Sequence, residues 1–205
     1  MSTEGFWREE FGDEYHERQK QNDVGSVISN IALFSKILSK TKGVSRVIEF
    51  GCGTGQNMEA INLLGKDMAI IGVEINEEAA LQVPVGYIFR QSIFDFQPPK
   101  ISNVDLAFTK GVGIHIPPED IDKLYDVLYR SSNRYILMAE YYNPIPVEVE
   151  YRGHSGKLWK RDFAGEIMDK YPDLELIDYG FVYHKDQFPQ DDLTWFLLSK
   201  EKLVL

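Results

Sequence analysis

The feature that most constrains the fold lies at residues 47–56, where an apolar run ends in an acidic residue and three alternating glycines. The run has the composition of a β-strand and the segment from Gln56 has that of a helix, so the glycines occupy a strand-to-helix turn. Because glycine lacks a Cβ, the chain can turn tightly and a ligand can approach the backbone. Amide groups at the start of the helix can then bind a polar or charged ligand.

The spacing of the glycines restricts the kind of ligand. Dinucleotide-binding turns carry Gly-x-Gly-x-x-Gly, whereas this chain has Glu49-x-Gly51-x-Gly53-x-Gly55 followed by Gln56. A phosphate-binding P-loop is excluded as well, because no Gly-Lys-Ser/Thr follows. The alternative is a turn with a purely structural role, but so many glycines at a strand-to-helix turn favour close approach of a ligand.

A second acidic residue, Glu74, follows the apolar run 68–73, about twenty positions after the glycines. Nucleotide-binding α/β folds place a carboxylate there, where it accepts hydrogen bonds from the 2′ and 3′ hydroxyls of a ribose. Folds that bind NAD share this residue, so Glu74 indicates a nucleoside ligand without choosing the cofactor. The alternative is an acidic residue favoured only by the dipole of the following helix.

Composition narrows the function further. A chain of 205 residues is long enough for one α/β domain, and its net charge of −10 argues against a nucleic-acid partner. The single Cys52 excludes an intrachain disulfide framework and fits a reducing compartment. No apolar run of eighteen residues and no signal peptide is present, so we expect a cytoplasmic protein without a membrane partner. No metal site is expected.

The order of periodic segments predicts the architecture. Strands are predicted at 46–50, 68–73, 86–90, 104–109, 134–139, 174–184 and 193–199. Helices are predicted at 24–40, 56–64, 77–83, 117–129 and 162–170. This alternation indicates a single α/β domain over 1–205, with a doubly wound, seven-stranded, mostly parallel sheet and a C-terminal antiparallel hairpin. Residues 1–40 are expected to form an N-terminal helical lid, with aromatic residues of its first part at helical spacing.

The glycine motif resembles the first motif of class I S-adenosylmethionine (SAM)-dependent methyltransferases, a Rossmann-like fold that also ends in a hairpin. The resemblance implies SAM as the cofactor and S-adenosylhomocysteine (SAH) as the product. It implies cofactor contacts by the residues of the turn, namely Glu49, Gly51, Cys52, Gly53 and Gly55. After the third strand this family contacts adenine through a side chain and a backbone N–H, here Ser92 and Ile93. Many members carry Asp where Ser92 stands.

The loop after the fourth strand is expected to face the reacting end of the ligand, since carboxyl ends of parallel strands form the ligand crevice. Lys110 is a candidate for the methionine carboxylate of the cofactor or for an anionic acceptor, and the alternative is a solvated charge. His115 is a candidate general base, and the alternative is a structural histidine at a helix entry.

The segment 141–161 is too long for a routine connection, which indicates a functional insertion. Five basic residues lie within ten positions there and alternate with Tyr and Trp: Arg152, His154, Lys157, Lys160 and Arg161. Such a set suits an anionic, sugar-like ligand, because arginine binds carboxylates or phosphates through two hydrogen bonds. The alternative is a loop whose charges pair with nearby acids. Tyr15, Arg152, Lys157 and Arg161 are candidate substrate-binding residues. His154 is a second candidate base, and Glu140 and Tyr142 are candidates to orient the acceptor.

Three further segments resemble a narrower family, the small methylases associated with pseudaminic acid biosynthesis. They are Phe6-Trp7 with Phe11-Gly12-Asp13-Glu14-Tyr15, then Phe108-Thr109-Lys110-Gly111-Val112, then Tyr141-Tyr142-Asn143-Pro144 with Tyr151-Arg152-Gly153-His154. The resemblance implies methyl transfer to a small acidic sugar, a nonulosonic acid or its precursor. The alternatives are a methyltransferase for another small or nucleotide-linked metabolite, a non-catalytic adenosyl-ligand binding module, and a nicotinamide oxidoreductase.

Overall fold

A computed structural model describes residues 3–9, 11–15, 23–65, 67–98 and 103–200. Its strands are β1 (Arg46–Phe50), β2 (Ala69–Glu74), β3 (Tyr87–Arg90), β4 (Leu106–Lys110), β5 (Tyr135–Glu140), β6 (Val147–Glu148), β7 (Trp159–Lys160), β8 (Glu175–Val182) and β9 (Leu193–Ser199). Its helices are α1 (Thr3–Arg8), α2 (11–15), α3 (Asp23–Leu38), α4 (Gln56–Leu64), α5 (Glu77–Ala80), α6 (Ile121–Ser131) and α7 (Phe163–Lys170). Short 3-10 turns lie at Ile93–Asp95 and Gly113–His115.

Seven strands form one sheet in the order β3-β2-β1-β4-β5-β9-β8. Strands β1 to β5 pair in parallel, whereas β9 runs antiparallel to both β5 and β8. This arrangement confirms the predicted doubly wound sheet with its closing hairpin. The parallel strands end at the same edge of the sheet, so the loops after β1, β2, β3 and β4 gather there.

Helices cover both faces of the sheet, which explains why its central strands are continuous apolar runs. On one face, α3 and α4 bury Phe34, Ile37 and Ile61 against residues of the sheet such as Leu137 and Trp195. The opposite face packs a second cluster around helices α6 and α7. That cluster includes Leu124, Leu128, Ile136, Met138 and Ile167. The two cores hold the strand ends, and therefore the loops that follow them, in fixed positions.

Several predicted boundaries differ from the structure for local reasons. The helix predicted from 117 begins at Ile121, because Pro118 disfavours helical backbone at the residue before it and Pro117–Asp120 forms a turn. The helix predicted over 77–83 ends at Ala80, because Pro84 disfavours helical backbone at Val83 and has no N–H to donate to the Ala80 carbonyl. The insertion 141–161, for which no strand was predicted, contains the two-stranded sheet β6–β7.

The described residues of the N-terminal region form the helical segments α1, α2 and α3. Residues 1, 2, 10 and 16–22 of the predicted lid lie outside the described residues, as do 201–205 of the predicted domain. Within the described ranges, no helix has the length and apolarity needed to cross a bilayer.

Candidate functional site

The glycine turn connects β1 to α4 and has left-handed backbone at all three of its glycines. The φ angles are 74° at Gly51, 53° at Gly53 and 84° at Gly55, a region that side chains with a Cβ rarely adopt. A Cβ on Gly51 would lie 2.6 Å from Val112 Cγ2, so the turn also packs closely against the loop after β4. The sequence therefore requires glycine here for backbone conformation as well as for space.

Glu74 ends β2 and connects the second strand to the glycine turn. Its Oε2 accepts a hydrogen bond from the Gly53 backbone N–H at 2.7 Å, and its Oε1 accepts one from the Asn76 N–H at 2.8 Å. Burial raises the pKa of Glu74 above its usual range, while these backbone hydrogen bonds act in the opposite direction. Because a carboxylate offers about four acceptor positions, Glu74 can accept from a ligand as well.

A cleft of about 460 Å³ lies at the carboxyl ends of β1, β2, β3 and β4. This is within the range of sites that enclose small molecules. Its lining includes the turn residues Gly51, Cys52, Gly53 and Thr54, then Glu74, Ile75, Ser92, Ile93 and Phe94 towards β3, and Lys110, Gly111, Val112, His115 and Pro117 towards β4. The cleft is thus elongated along the sheet edge, with the glycine turn at its centre.

The N-terminal helices close one side of this cleft. Glu4, Trp7 and Tyr15 line it. The Asn76 side chain donates to Asp13 Oδ1 at 2.7 Å and to the Trp7 carbonyl at 3.3 Å, which holds the lid on the loop after β2. The lid is therefore attached beside Glu74 through ordinary polar contacts, which can break and reform.

The lid also packs against the insertion. Phe6 stacks on Phe11 with ring centroids 3.9 Å apart, and Lys157 Nζ lies 4.9 Å from the centroid of Phe6. Trp7 packs on His115, with ring centroids 4.5 Å apart, and Tyr151 lies 4.9 Å from the same histidine. Lid and insertion thus meet around His115 at the β4 end of the cleft.

His115 is a buried, neutral imidazole. Its Nδ1 lies 2.6 Å from the Lys157 carbonyl oxygen, and because a carbonyl only accepts, Nδ1 carries the hydrogen. Nε2 is then unprotonated and able to take up a proton. Burial lowers the pKa of His115 to about 4, so the ring stays neutral at physiological pH.

Three ionisable groups, Glu49, Lys110 and Glu140, interact with one another next to the glycine turn and the end of β4. Glu49 is fully buried, and Asn57 Nδ2 donates to its Oε1 at 2.6 Å. Burial raises the pKa of Glu49 to about 8, against the opposite effects of Asn57 and Lys110. Burial lowers the pKa of Lys110, whereas the carboxyl groups of Glu49 and Glu140 raise it. The protonation state of each group therefore depends on the charge of its neighbours.

Glu140 organises the loop that carries His115. Its two carboxylate oxygens accept hydrogen bonds from the backbone N–H groups of Val112 and Ile114, each at 3.2 Å. It is buried at the end of β5 and does not line the cleft. Its contact with the cleft is through the backbone of the 3-10 turn Gly113–His115.

The structure brings most predicted cofactor residues together in the cleft. They are Gly51, Cys52, Gly53, Glu74, Ser92, Ile93 and Lys110. Cys52 occupies space that Gly72 leaves free, since a Cβ on Gly72 would lie 2.6 Å from Cys52 Sγ. Two other predicted residues, Glu49 at the end of β1 and Gly55 at the end of the turn, lie outside the cleft lining.

The predicted catalytic and substrate residues are more scattered. His115 and Tyr15 line the cleft, whereas His154 is exposed and contacts Phe6 and Phe11 of the lid, with centroid distances of 5.3 and 5.7 Å. Tyr142 is 42% exposed and lies beside Phe196 of β9.

The basic residues of the insertion point in different directions. Arg152 is exposed and its guanidinium lies 5.7 Å from the centroid of Tyr151. Lys157 covers Phe6, as described above. Arg161 is 7% exposed and its Nε lies 3.3 Å from Glu166 Oε1 of α7, outside the cleft lining. Arg161 thus pairs with an acid of the protein itself, which was the alternative considered for this loop.

Four residues for which the sequence predicts no ligand contact lie at or beside the cleft. Glu4, Trp7 and Lys123 line it, and Asn76 holds the lid over it. Trp7 belongs to the aromatic set noted at helical spacing, and Asn76 follows the usual preference for Asn as a helix N-cap. Neither signal indicates a distant partner.

The fold has counterparts among solved methyltransferase structures. One is magnesium protoporphyrin IX methyltransferase (ChlM) from Synechocystis PCC 6803 with bound SAM, at a TM-score of 0.70 and 13% identity over 98% of this chain and 98% of that one. A second is the plantazolicin methyltransferase BpumL in complex with SAH, at 0.67 and 13% over 98% and 94%. A third is a SAM-dependent methyltransferase from Clostridium acetobutylicum ATCC 824, at 0.61 and 11% over 92% and 97%.

At these identities the likeness establishes the fold, which is that of class I methyltransferases. No protein-family model matches the sequence, and a search of curated proteins finds no match.

Proposed function

We propose that this protein is a SAM-dependent methyltransferase that acts on a small molecule. The observation that carries the proposal is the hydrogen bond from the Gly53 N–H to Glu74 at the centre of the cleft. It sets a carboxylate suited to a ribose beside a turn whose backbone a ligand can approach. The SAM and SAH bound in neighbours of the same fold support the choice of cofactor.

The sheet favours SAM over a nicotinamide dinucleotide. Dinucleotide-binding folds have the strand order 3-2-1-4-5-6. Here the antiparallel strand β9 lies between β5 and the edge strand β8. The glycine spacing, with Gln56 where a dinucleotide turn requires glycine, supports the same choice.

The cleft residues suggest how the cofactor is held. Glu74 binds the ribose hydroxyls, while Gly51 and Gly53 allow the cofactor to lie against the backbone of the turn. Glu49, held by Asn57, supports the turn from below, and the left-handed backbone of Gly55 lets the turn enter α4. Ser92 and Ile93 lie at the adenine end. Lys110 lies at the opposite end, where it binds the methionine carboxylate or an anionic acceptor.

His115 is the better placed of the two candidate bases, because it lines the cleft and its Nε2 is unprotonated. In the proposed reaction, an acceptor hydroxyl attacks the methyl carbon of the sulfonium in line with the departing sulfur. The oxygen–carbon bond forms, the carbon–sulfur bond breaks, and His115 Nε2 takes the hydroxyl proton. Alignment of such reactants contributes about 7–11 kcal/mol and general base catalysis about 10²–10⁴-fold. Glu140 orients the loop of His115 through its backbone.

For the acceptor we propose a small acidic sugar of the nonulosonic, pseudaminic type or its precursor. The sequence resemblance described above supports this choice. So does the exposed Arg152, which extends from Tyr151 next to the ring of His115, because its guanidinium can bind a carboxylate. ChlM and BpumL are named for other acceptors, so their likeness does not bear on a sugar.

Turnover tests the proposed function. Purified protein, SAM and a panel of nonulosonic acids, their sugar precursors and nucleotide sugars are incubated, and mass spectrometry detects products heavier by one methylene. We expect SAH release that depends on one class of acidic sugar. Turnover on nucleotide sugars alone would contradict the acceptor. Tight SAM binding without turnover on any acceptor would instead indicate a non-catalytic binding module.

A further inference from the structure

At the β3 end of the cleft, the lid contacts the sheet through two polar side chains. Ser92 donates its hydroxyl hydrogen to Glu4 Oε1 of α1. The same Ser92 oxygen accepts a hydrogen bond from the Phe94 N–H at 3.0 Å. Because Ser92 is only 3% exposed and its one hydrogen is already used, it fixes the position of the Glu4 carboxylate.

This contact lies where the proposed cofactor places its base. If Glu74 binds the ribose, the attached base extends along the sheet edge from β2 towards β3. The cleft lining there is apolar, with Ile75, Ile93 and Phe94 available to the faces of a ring. An adenine buried in such surroundings needs an acceptor for its 6-amino group, since a buried donor without a partner is costly.

Among the described residues, three carboxyl groups line the cleft, and two of them already have strong partners. Glu74 accepts two backbone N–H groups and is assigned to the ribose, and Asp120 Oδ1 lies 2.7 Å from Lys123 Nζ. For Glu4, Ser92 is the one hydrogen-bond partner within the described ranges. Glu4 is therefore the carboxylate with free acceptor capacity at the β3 end.

We propose that Glu4 reads the 6-amino group of adenine and that Ser92 is a positioning residue for Glu4. The proposal rests on the proposed function, since it requires an adenosyl cofactor. It assigns base recognition to the lid and not to the sheet. Cofactor binding then holds α1 in place, which also keeps Trp7 against His115 at the reacting end.

Selectivity between two ligands tests this assignment. Calorimetry on the full chain measures the dissociation constants of SAH and of its deaminated analogue, in which a 6-oxo group replaces the 6-amino group. The wild type is expected to prefer SAH by about 10-fold to 100-fold, as for a hydrogen bond to a charged group. This preference is expected to fall close to one in Glu4→Ala, which has no acceptor. It should also fall in Glu4→Gln, because the amide can donate to the 6-oxo group as well as accept from the 6-amino group.

Two further variants separate recognition from stability of the lid. Glu9→Ala removes an exposed carboxylate just after α1 and should leave the ratio unchanged. The double variant Glu4→Ala with Ser92→Asp moves the carboxylate from the lid to the sheet and should restore the preference for SAH. Thermal melting checks that each variant is folded.

The outcomes distinguish the two proposals. If the wild type binds SAH but the ratio of the two dissociation constants is the same in Glu4→Ala and Glu4→Gln, the role of Glu4 is overturned and the proposed function stands. A folded wild type that binds neither ligand overturns the proposed function and this inference with it.

Discussion

The carboxylate of Glu74 accepts a hydrogen bond from the backbone N–H of Gly53, with 2.7 Å between oxygen and nitrogen. This contact links the ends of β1 and β2, two neighbouring parallel strands whose following loops form the centre of the cleft. It also means that a substitution of Glu74 acts on the shape of the glycine turn as well as on the ligand. Substitutions at matched control positions separate the two effects.

Replacing Glu74 by Ala should weaken SAM binding by about 1–3 kcal/mol, because charge-assisted hydrogen bonds to the ribose are lost. Calorimetry measures the change. Glu78→Ala is the control, since Glu78 is exposed in the first turn of α5 and shares only the favourable helix-dipole position. Equal effects of the two substitutions would mean that Glu74 acts through the helix and not through the ribose.

Gly53→Val should abolish SAM binding, because a branched side chain occupies the space of the cofactor. The finer comparison is Gly53→Ala with Gly43→Ala, since the φ angles are similar, 53° and 60°, and Gly43 precedes β1 at the opposite edge of the sheet. Both variants should melt earlier, by the strain of left-handed backbone. Only Gly53→Ala should lose cofactor affinity, and a folded Gly53→Val with wild-type affinity would contradict the site.

His115→Gln should lower kcat by about 10²-fold, the lower end of the range for a general base because burial makes this imidazole a weak one, with little change in SAM affinity. His154→Gln is the matched control, because His154 is exposed on the lid side and outside the cleft lining. A larger loss of kcat in His154→Gln than in His115→Gln would assign the role of general base to His154 instead.

The low pKa of His115 also predicts how stability and activity depend on pH. Burial lowers it to about 4 from an ordinary value of 6.5, so the folded protein keeps this ring neutral where the unfolded chain protonates it. His115 therefore costs stability as the pH falls from 6.5 to 4, and above pH 5 it should cause no loss of activity. A rate profile with a protonation step near 6.5 that depends on His115 would contradict the neutral buried ring.

Glu49 should make the protein less stable at alkaline pH. Its pKa is raised to about 8, so between pH 4.5 and 8 the folded protein holds a proton that the unfolded chain releases. Stability from this group falls as the pH rises through that range. Glu49→Gln removes this pH dependence of stability. Denaturant unfolding at pH 5, 7 and 9 should therefore show the free energy of unfolding of the variant rising relative to that of the wild type as the pH increases. A constant difference would mean that Glu49 is ionised when folded.

Arg152→Ala should raise the KM for the acidic acceptor and leave the dissociation constant of SAM unchanged. The residue is exposed beside Tyr151, and the lost interaction is with the acceptor carboxylate. Arg130→Ala removes an exposed arginine near the far end of α6 and should change neither constant. If Arg152→Ala weakens SAM binding and leaves the KM for the acceptor unchanged, Arg152 of the insertion does not bind the acceptor.

The fold was predictable because its signals are local. Apolar periodicity located the seven strands, and the glycines and Glu74 lie next to the strands that position them. The position of Glu74 beside the glycine turn also follows from a spacing that is fixed by one strand–helix–strand unit. Where a single proline redirects the chain, as at Pro118, boundaries shifted by a few residues.

The rest of the site depends on contacts between distant segments. Glu4 meets Ser92 across 88 residues, and nothing near either one in the sequence indicates the pairing. Arg161 also depends on tertiary packing, but here the packing replaces the ligand contact that the sequence indicates. It lies in a basic run that indicates an anionic ligand, but the packing of α7 supplies Glu166 as its partner. Charge pattern alone cannot separate these outcomes, because they are decided by tertiary packing.

The central claim is that the turn at Gly51–Gly55 binds an adenosyl sulfonium cofactor. Its most direct test is calorimetric titration of the purified, folded chain with SAM, and in parallel with NAD. The account predicts saturable binding of SAM at one site per chain and no binding of NAD. A folded protein that binds NAD and not SAM, or neither, would contradict it.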